Sequence, residues 1–110
     1  MRLRDRVVLR KEGREFREAV VGMVDDLRKA GLVGDTLTGP VFVDIVAVVP
    51  DHRRRDIDNI LKALLDALGH AGIYADDTQI TKLAAEKRPP EGKSGGWVDV
   101  TIVALDEPEP

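Results

Sequence analysis

The 110-residue chain has no cysteine, which excludes a disulfide framework and any thiolate metal site and is compatible with a reducing cytosol. It has no long apolar run either. Nothing approaches the roughly 20 residues of a membrane-spanning helix, and "MRLRDRVVLR" at the start alternates arginine with apolar residues where a signal peptide needs an unbroken apolar stretch. A cytoplasmic protein with no membrane partner is expected. A positive balance is also missing: the formal net charge is -3, which alone argues against a phosphate-backbone partner. The distribution argues the other way. Residues 1–17 hold seven basic residues (Arg2, Arg4, Arg6, Arg10, Lys11, Arg14, Arg17) against Asp5, Glu12 and Glu15, a local charge of +4, while 106–110 hold three acids and no base.

What is present suffices for one core. At 12.1 kDa, with 43% hydrophobic and 34% charged residues, the chain fits one small globular domain. Residues 6–10, "RVVLR", read as a short strand. From Arg14, the apolar positions Phe16, Val20, Met23, Val24 and Leu27 form one helical stripe that stops near Gly31. Residues 41–49, bounded by Pro40 and Pro50, read as a largely buried strand with both faces apolar. A helix can cover one of these faces, so the other needs a second cover, for which a partner subunit is a candidate. Ile57, Ile60, Leu61, Leu64, Leu65 and Leu68 are the stripe of a second helix over 57–69. Residues 79–87 and 97–105 read as strands joined by a hairpin connection, "RPPEGKSGG", expected to be mobile and basic. The expected fold class is α/β (α+β): a mixed sheet packed with two main helices in the order β-α-β-α-β-β, with a frayed acidic tail at 106–110.

The chemistry-bearing residues lie in "RRRDIDNILKALLDALGHAGIYADDTQI", 53–80. Asp58, Asn59, Lys62 and Asp66 share the polar side of the second helix, away from its leucines, and Asp56 is placed to be its N-cap. Asp76 and Asp77 follow the helix by one short loop. If the fold returns them to it, three or four carboxylates converge with one ammonium, and such a group needs a cation to offset its charge. Mg²⁺ suits hard oxygen donors, and the chemistry favoured is phosphodiester hydrolysis by a metal-activated water. Each position also has an ordinary role: Asp56 as a cap, Asp58, Lys62 and Asp66 as an i, i+4 ladder, and Asp76 and Asp77 as turn residues.

The same run resembles the signature of the RusA family of Holliday junction resolvases: D-x-D-N, a lysine four residues after the second aspartate, D-A-L, then D-D at the start of a strand. It spans about a quarter of the chain, and "EGREFR" and the Gly-rich connection extend the similarity. The resemblance implies a RusA-like nuclease domain over 1–105. It makes Asp56, Asp58 and Asp77 the metal-binding catalytic carboxylates, Lys62 the catalytic lysine and Asp76 a further metal-side acid, with Asn59 and Asp66 in support. It implies Mg²⁺, with Mn²⁺ as a possible substitute, and a four-way DNA junction as substrate, cut by a C2 homodimer that supplies two matched sites. Family members usually open with an apolar strand and a Pro-rich loop, so the first strand is expected to be short or missing here.

Other basic residues read as backbone contacts: Arg53, Arg54 and Arg55 beside the acids, Lys87, Arg88 and Lys93 on the hairpin, and Arg14 at the entry to the first helix. His70 reads as a helix-end residue and Trp97 as core. "GKS" at 92–94 lacks the first glycine of a phosphate loop, and "DIDN" lacks the glycine and glutamate of a calcium loop. The alternatives are a non-catalytic branched-DNA-binding module of the same fold and a protein-interaction domain.

Overall fold

The computed structural model describes residues 2–8, 13–49, 57–91 and 96–105, with side chains over 15–49, 58–91 and 96–105. The elements are β1 (Arg2–Val8), α1 (Gly13–Lys29), β2 (Val41–Val48), α2 (Ile57–His70), a single 3-10 turn (Asp77–Gln79), β3 (Ile80–Arg88) and β4 (Trp97–Ala104). This is the expected α+β order.

The four strands form one mixed sheet in the order β1-β4-β2-β3. β2 runs parallel to β3 and antiparallel to β4, and β4 is antiparallel to β1, so β1 and β2 point the same way with β4 between them. Both helices are therefore crossovers between parallel strands, stepping across the sheet in one direction. Crossovers of one hand that step in one direction lay their helices on the same face. Both helices do contribute to one buried cluster: Phe16, Val20 and Val24 from α1 and Leu64, Ala67 and Leu68 from α2 meet Val41, Val43, Ile45 and Ala47 of β2 and Val98, Val100 and Ile102 of β4.

Two expectations are corrected. The first strand is neither short nor missing: β1 has seven residues, starts at Arg2 and pairs with β4 along its whole length, from Arg2 opposite Val103 to Val8 opposite Trp97. The connection between β3 and β4 is not a hairpin, because β2 lies between them. It must span two strand spacings, about 10 Å, which explains why eight residues separate Arg88 from Trp97 where a hairpin uses two to five. Residues 92–95 of that connection, and the tail at 106–110, lie outside the described residues.

The two faces of β2 differ. Val41, Val43, Ile45 and Ala47 are fully buried, whereas Phe42, Asp44 and Val46, on the face away from the helices, are half-buried. Part of that second face is covered from within the chain: the Lys82 ammonium lies 4.9 Å from the centroid of the Phe42 ring. β3 is an edge strand with Ile80 half-buried and residues 81–88 exposed.

Both helices end in the same way. Gly31 (φ +76°) and Gly72 (φ +81°) hold the left-handed conformation after α1 and α2. Gly31 N–H bonds to Arg28 C=O and Leu32 N–H to Leu27 C=O; Gly72 N–H bonds to Gly69 C=O and Ile73 N–H to Leu68 C=O. These are paired Schellman ends. The second is held further by Arg28 of α1, whose Nη1 and Nη2 donate to Ala71 O and Gly72 O, both at 2.8 Å. A cation thus sits on the negative end of α2, and the chain leaving α2 is turned back along it.

Candidate active site

The return of the chain after α2 builds a cleft of about 330 Å³ lined by Arg17 of α1, Leu65, Asp66, Gly69 and His70 of α2, and 74–77. Tyr74 forms its apolar wall. The ring is buried against α2, where a side chain at Gly69 would place its Cβ 3.3 Å from Tyr74 Cε1. The hydroxyl donates to Leu65 O at 2.6 Å. Burial first, and then the carboxylates of Asp77 and Asp66, push the phenol well above its ordinary pKa, so it remains a donor.

The acidic turn is fixed by Gln79. Its Oε1 accepts from Ala75 N–H (2.8 Å) and Asp76 N–H (2.9 Å), and its Nε2 donates to Leu37 O (2.8 Å) and Gly39 O (2.9 Å). Asp76 closes a capping box over the 3-10 turn, its Oδ1 accepting from Thr78 N–H at 2.9 Å. The Thr78 N–H, with a smaller contribution from the Thr78 side chain, holds the exposed Asp76 carboxyl below the usual carboxylate range. Asp76 is thus partly committed to shaping the turn, and Asp77 is the exposed acid that the turn presents to the cleft.

The sequence-derived residues fall in different places. Asp58, Asn59, Lys62 and Asp66 are all exposed on α2, with Asp58, Lys62, Asp66 and His70 in one i, i+4 row. The fold brings Asp76 and Asp77 to the Asp66–His70 end of that row. Asp58 stands two turns earlier, about 12 Å along the axis from Asp66, and does not line the cleft. The return to α2 thus happens, but at the helix's last turns, because the Schellman end and Tyr74 reverse the chain immediately. Lys62 and Asp66 form no ion pair with each other, and among the described residues no three acids or histidines are grouped to hold a metal. Asp56, Arg53, Arg54, Arg55 and Lys93 lie outside the described residues, as does the side chain of Arg14. Lys87 and Arg88 are exposed near the end of β3, with Arg88 Nη2 3.0 Å from Glu86 Oε2, a surface pair weak enough to be exchanged for another anion.

Sequence reasoning missed three contributors. Gln79 was legible: D-D-T-Q has the capping-box spacing of an acid followed three residues later by Gln. Tyr74 and Arg17 carried no local signal, because their places depend on how α1, α2 and the loop pack.

Fold and cleft together define a small α+β protein whose acids gather on one helix and on the turn that follows it. Comparison with known proteins makes this specific. The family model described as endodeoxyribonuclease RusA matches residues 2–102. The chain is 34% identical over 102 residues, covering 93% of its length and 80% of theirs, to the crossover junction endodeoxyribonucleases RusA of Enterobacteria phage 82 and of Escherichia coli K12. It is 39% identical to that of Aquifex aeolicus over 62 residues, 56% of this chain and 49% of the relative. The chain belongs to the endodeoxyribonuclease RusA family, the family to which its motif pointed.

Proposed function

We propose that this protein is a Mg²⁺-dependent endonuclease that resolves four-way DNA junctions by paired, symmetric phosphodiester hydrolysis in recombination and repair, acting in the cytoplasm. The observation that carries the reading is the 34% identity, over 93% of the chain, to relatives named crossover junction endodeoxyribonuclease. No helix among the described residues is long and apolar enough to cross a membrane.

Asp56, Asp58 and Asp77 would hold the ion, with Asp76 in support. A set of carboxylate oxygens is the hard donor chemistry that Mg²⁺ takes, and Mn²⁺ can substitute. When bound, such an ion would supply Lewis-acid activation of water and of the phosphate. Lys62, exposed on the same face as Asp58, stabilises charge developing on the phosphate as a compact ammonium. Asn59 and Asp66 orient this acidic row. Arg53, Arg54, Arg55, Lys87, Arg88, Lys93 and Arg14 neutralise the DNA backbone around it.

Two matched cuts call for two sites related by symmetry, hence a C2 homodimer. The half-exposed Phe42 and Val46 on the sheet face away from the helices support a second copy as cover. Because Asp58 and Asp77 stand toward opposite ends of α2 in one chain, the ligand set rests on the D-x-D-N and D-D motif and not on their separation. Analytical ultracentrifugation at micromolar concentration should give a dimer, and a monomer alone would sink this part.

The decisive assay is cleavage of a synthetic four-way junction. Wild type should cut it with Mg²⁺, and both EDTA and Asp58→Asn should abolish the cut while binding persists. Binding without cleavage by wild type in either Mg²⁺ or Mn²⁺ would instead indicate a branched-DNA-binding module.

A further inference from the structure

We infer that Arg17 is a phosphate-binding residue of the same site, gripping the DNA backbone where it enters the acidic cleft; this rests on the nuclease reading above. Arg17 is exposed in the second turn of α1 and lines the cleft together with Asp66, Asp76 and Asp77. Among the described residues it forms no ion pair or hydrogen bond, although three carboxylates share its cleft. A guanidinium that lines a cleft without being spent on the acids there keeps its planar fork of donors for a ligand, and phosphate is the anion that fork fits bidentately.

The surroundings favour this role over simple offsetting of acidic charge. The adjacent Phe16 and the following Val20 are buried in the core, so the helix that carries Arg17 is anchored and the guanidinium operates from a fixed base. Arg14 stands three residues earlier in the sequence, and Arg10 and Lys11 precede it in the +4 segment. A run of basic residues in the sequence thus precedes Arg17. A polyanion approaching a metal site lined by carboxylates needs such basic residues, because the acids alone would repel it.

The test measures binding of a synthetic four-way junction in EDTA, so that catalysis plays no part, across a series of salt concentrations, for wild type, Arg17→Ala and Arg17→Lys. Removing one phosphate contact should weaken Arg17→Ala roughly tenfold at low salt and reduce the slope of log affinity against log salt by about one. Arg17→Lys should keep the wild-type slope and lose affinity several-fold, since it retains the charge and loses the fork. Melting temperatures should be equal, because the side chain is exposed. Affinity within twofold of wild type with an unchanged slope in Arg17→Ala overturns the inference, as does a loss that only follows a lowered melting temperature. If wild type binds the junction and Arg17→Ala binds equally well, the nuclease reading stands and only Arg17 falls; if wild type does not bind at all, both fall.

Discussion

The hydroxyl of Tyr74 is bonded to the main-chain oxygen of Leu65, nine residues earlier, at 2.6 Å. This bond fastens the chain that leaves α2 to the helix it has just left, and three residues after Tyr74 comes Asp77. Tyr74→Phe keeps the ring and its packing, and Leu65 C=O keeps its place in the helix ladder, so about 1 kcal/mol of stability should be lost. Urea unfolding measures that loss. Junction cleavage should fall by more than the folded fraction does, because Asp77 loses a fixed mount.

Gln79 both accepts and donates, and no other residue type reproduces its four bonds in this setting. Gln79→Glu keeps the shape and the acceptors but removes the donor to Leu37 O and Gly39 O, leaving a carboxylate facing two carbonyls. Cleavage should drop by about tenfold or more, the loss expected when a metal-side group is misplaced. Metal-free junction binding should stay unchanged. A variant that cuts as well as wild type would show that the acidic turn needs no such support.

Arg28 ties the end of α2 to α1 through two charge-assisted bonds. Arg28→Ala should cost about 2 kcal/mol, and Arg28→Lys should recover only part of it, since one ammonium cannot span two successive carbonyls as a fork does. Thermal or denaturant melts of the three proteins provide the comparison.

The capping role of Asp76 predicts an effect of pH. Its carboxyl is held below the usual range when folded, so the stabilisation is present above the unfolded value of about 3.9 and is lost as the pH falls through the folded value. Wild type and Asp76→Asn should therefore differ most near neutral pH and converge below about pH 4. A stability gap that widens on acidification would contradict this. Because the group is exposed, the gap should be small at every pH.

Helical periodicity carried most of what the sequence disclosed. The stripes of α1 and α2 were readable because Phe16, Val20 and Val24, and then Leu64 and Leu68, recur at helical spacing and are the residues found buried. β1 was harder to see, since Asp5 and two arginines break its apolar alternation before "RVVLR" begins, and it owes its existence to its pairing with β4. Strand order was not legible, because nothing in "RPPEGKSGG" says that β2 lies between β3 and β4. The acidic motif could be read as chemistry, yet which end of α2 would receive Asp77 was decided by Gly72, Arg28 and Tyr74, through contacts that spacing does not encode.

The placement of β4 bears on how the protein is made. Trp97–Ala104 is the last of the described strands in sequence, yet it lies between β1 and β2 and is hydrogen-bonded to both. Neither neighbour can be joined to the other until that segment has left the ribosome, so synthesis precedes closure of the sheet and folding relies on long-range pairing. A nascent chain stalled before Trp97 would expose the partnerless edges of β1 and β2 together with Val41, Val43 and Ile45. A nuclease assembled in this order completes its core only once β4 is available to enter the sheet.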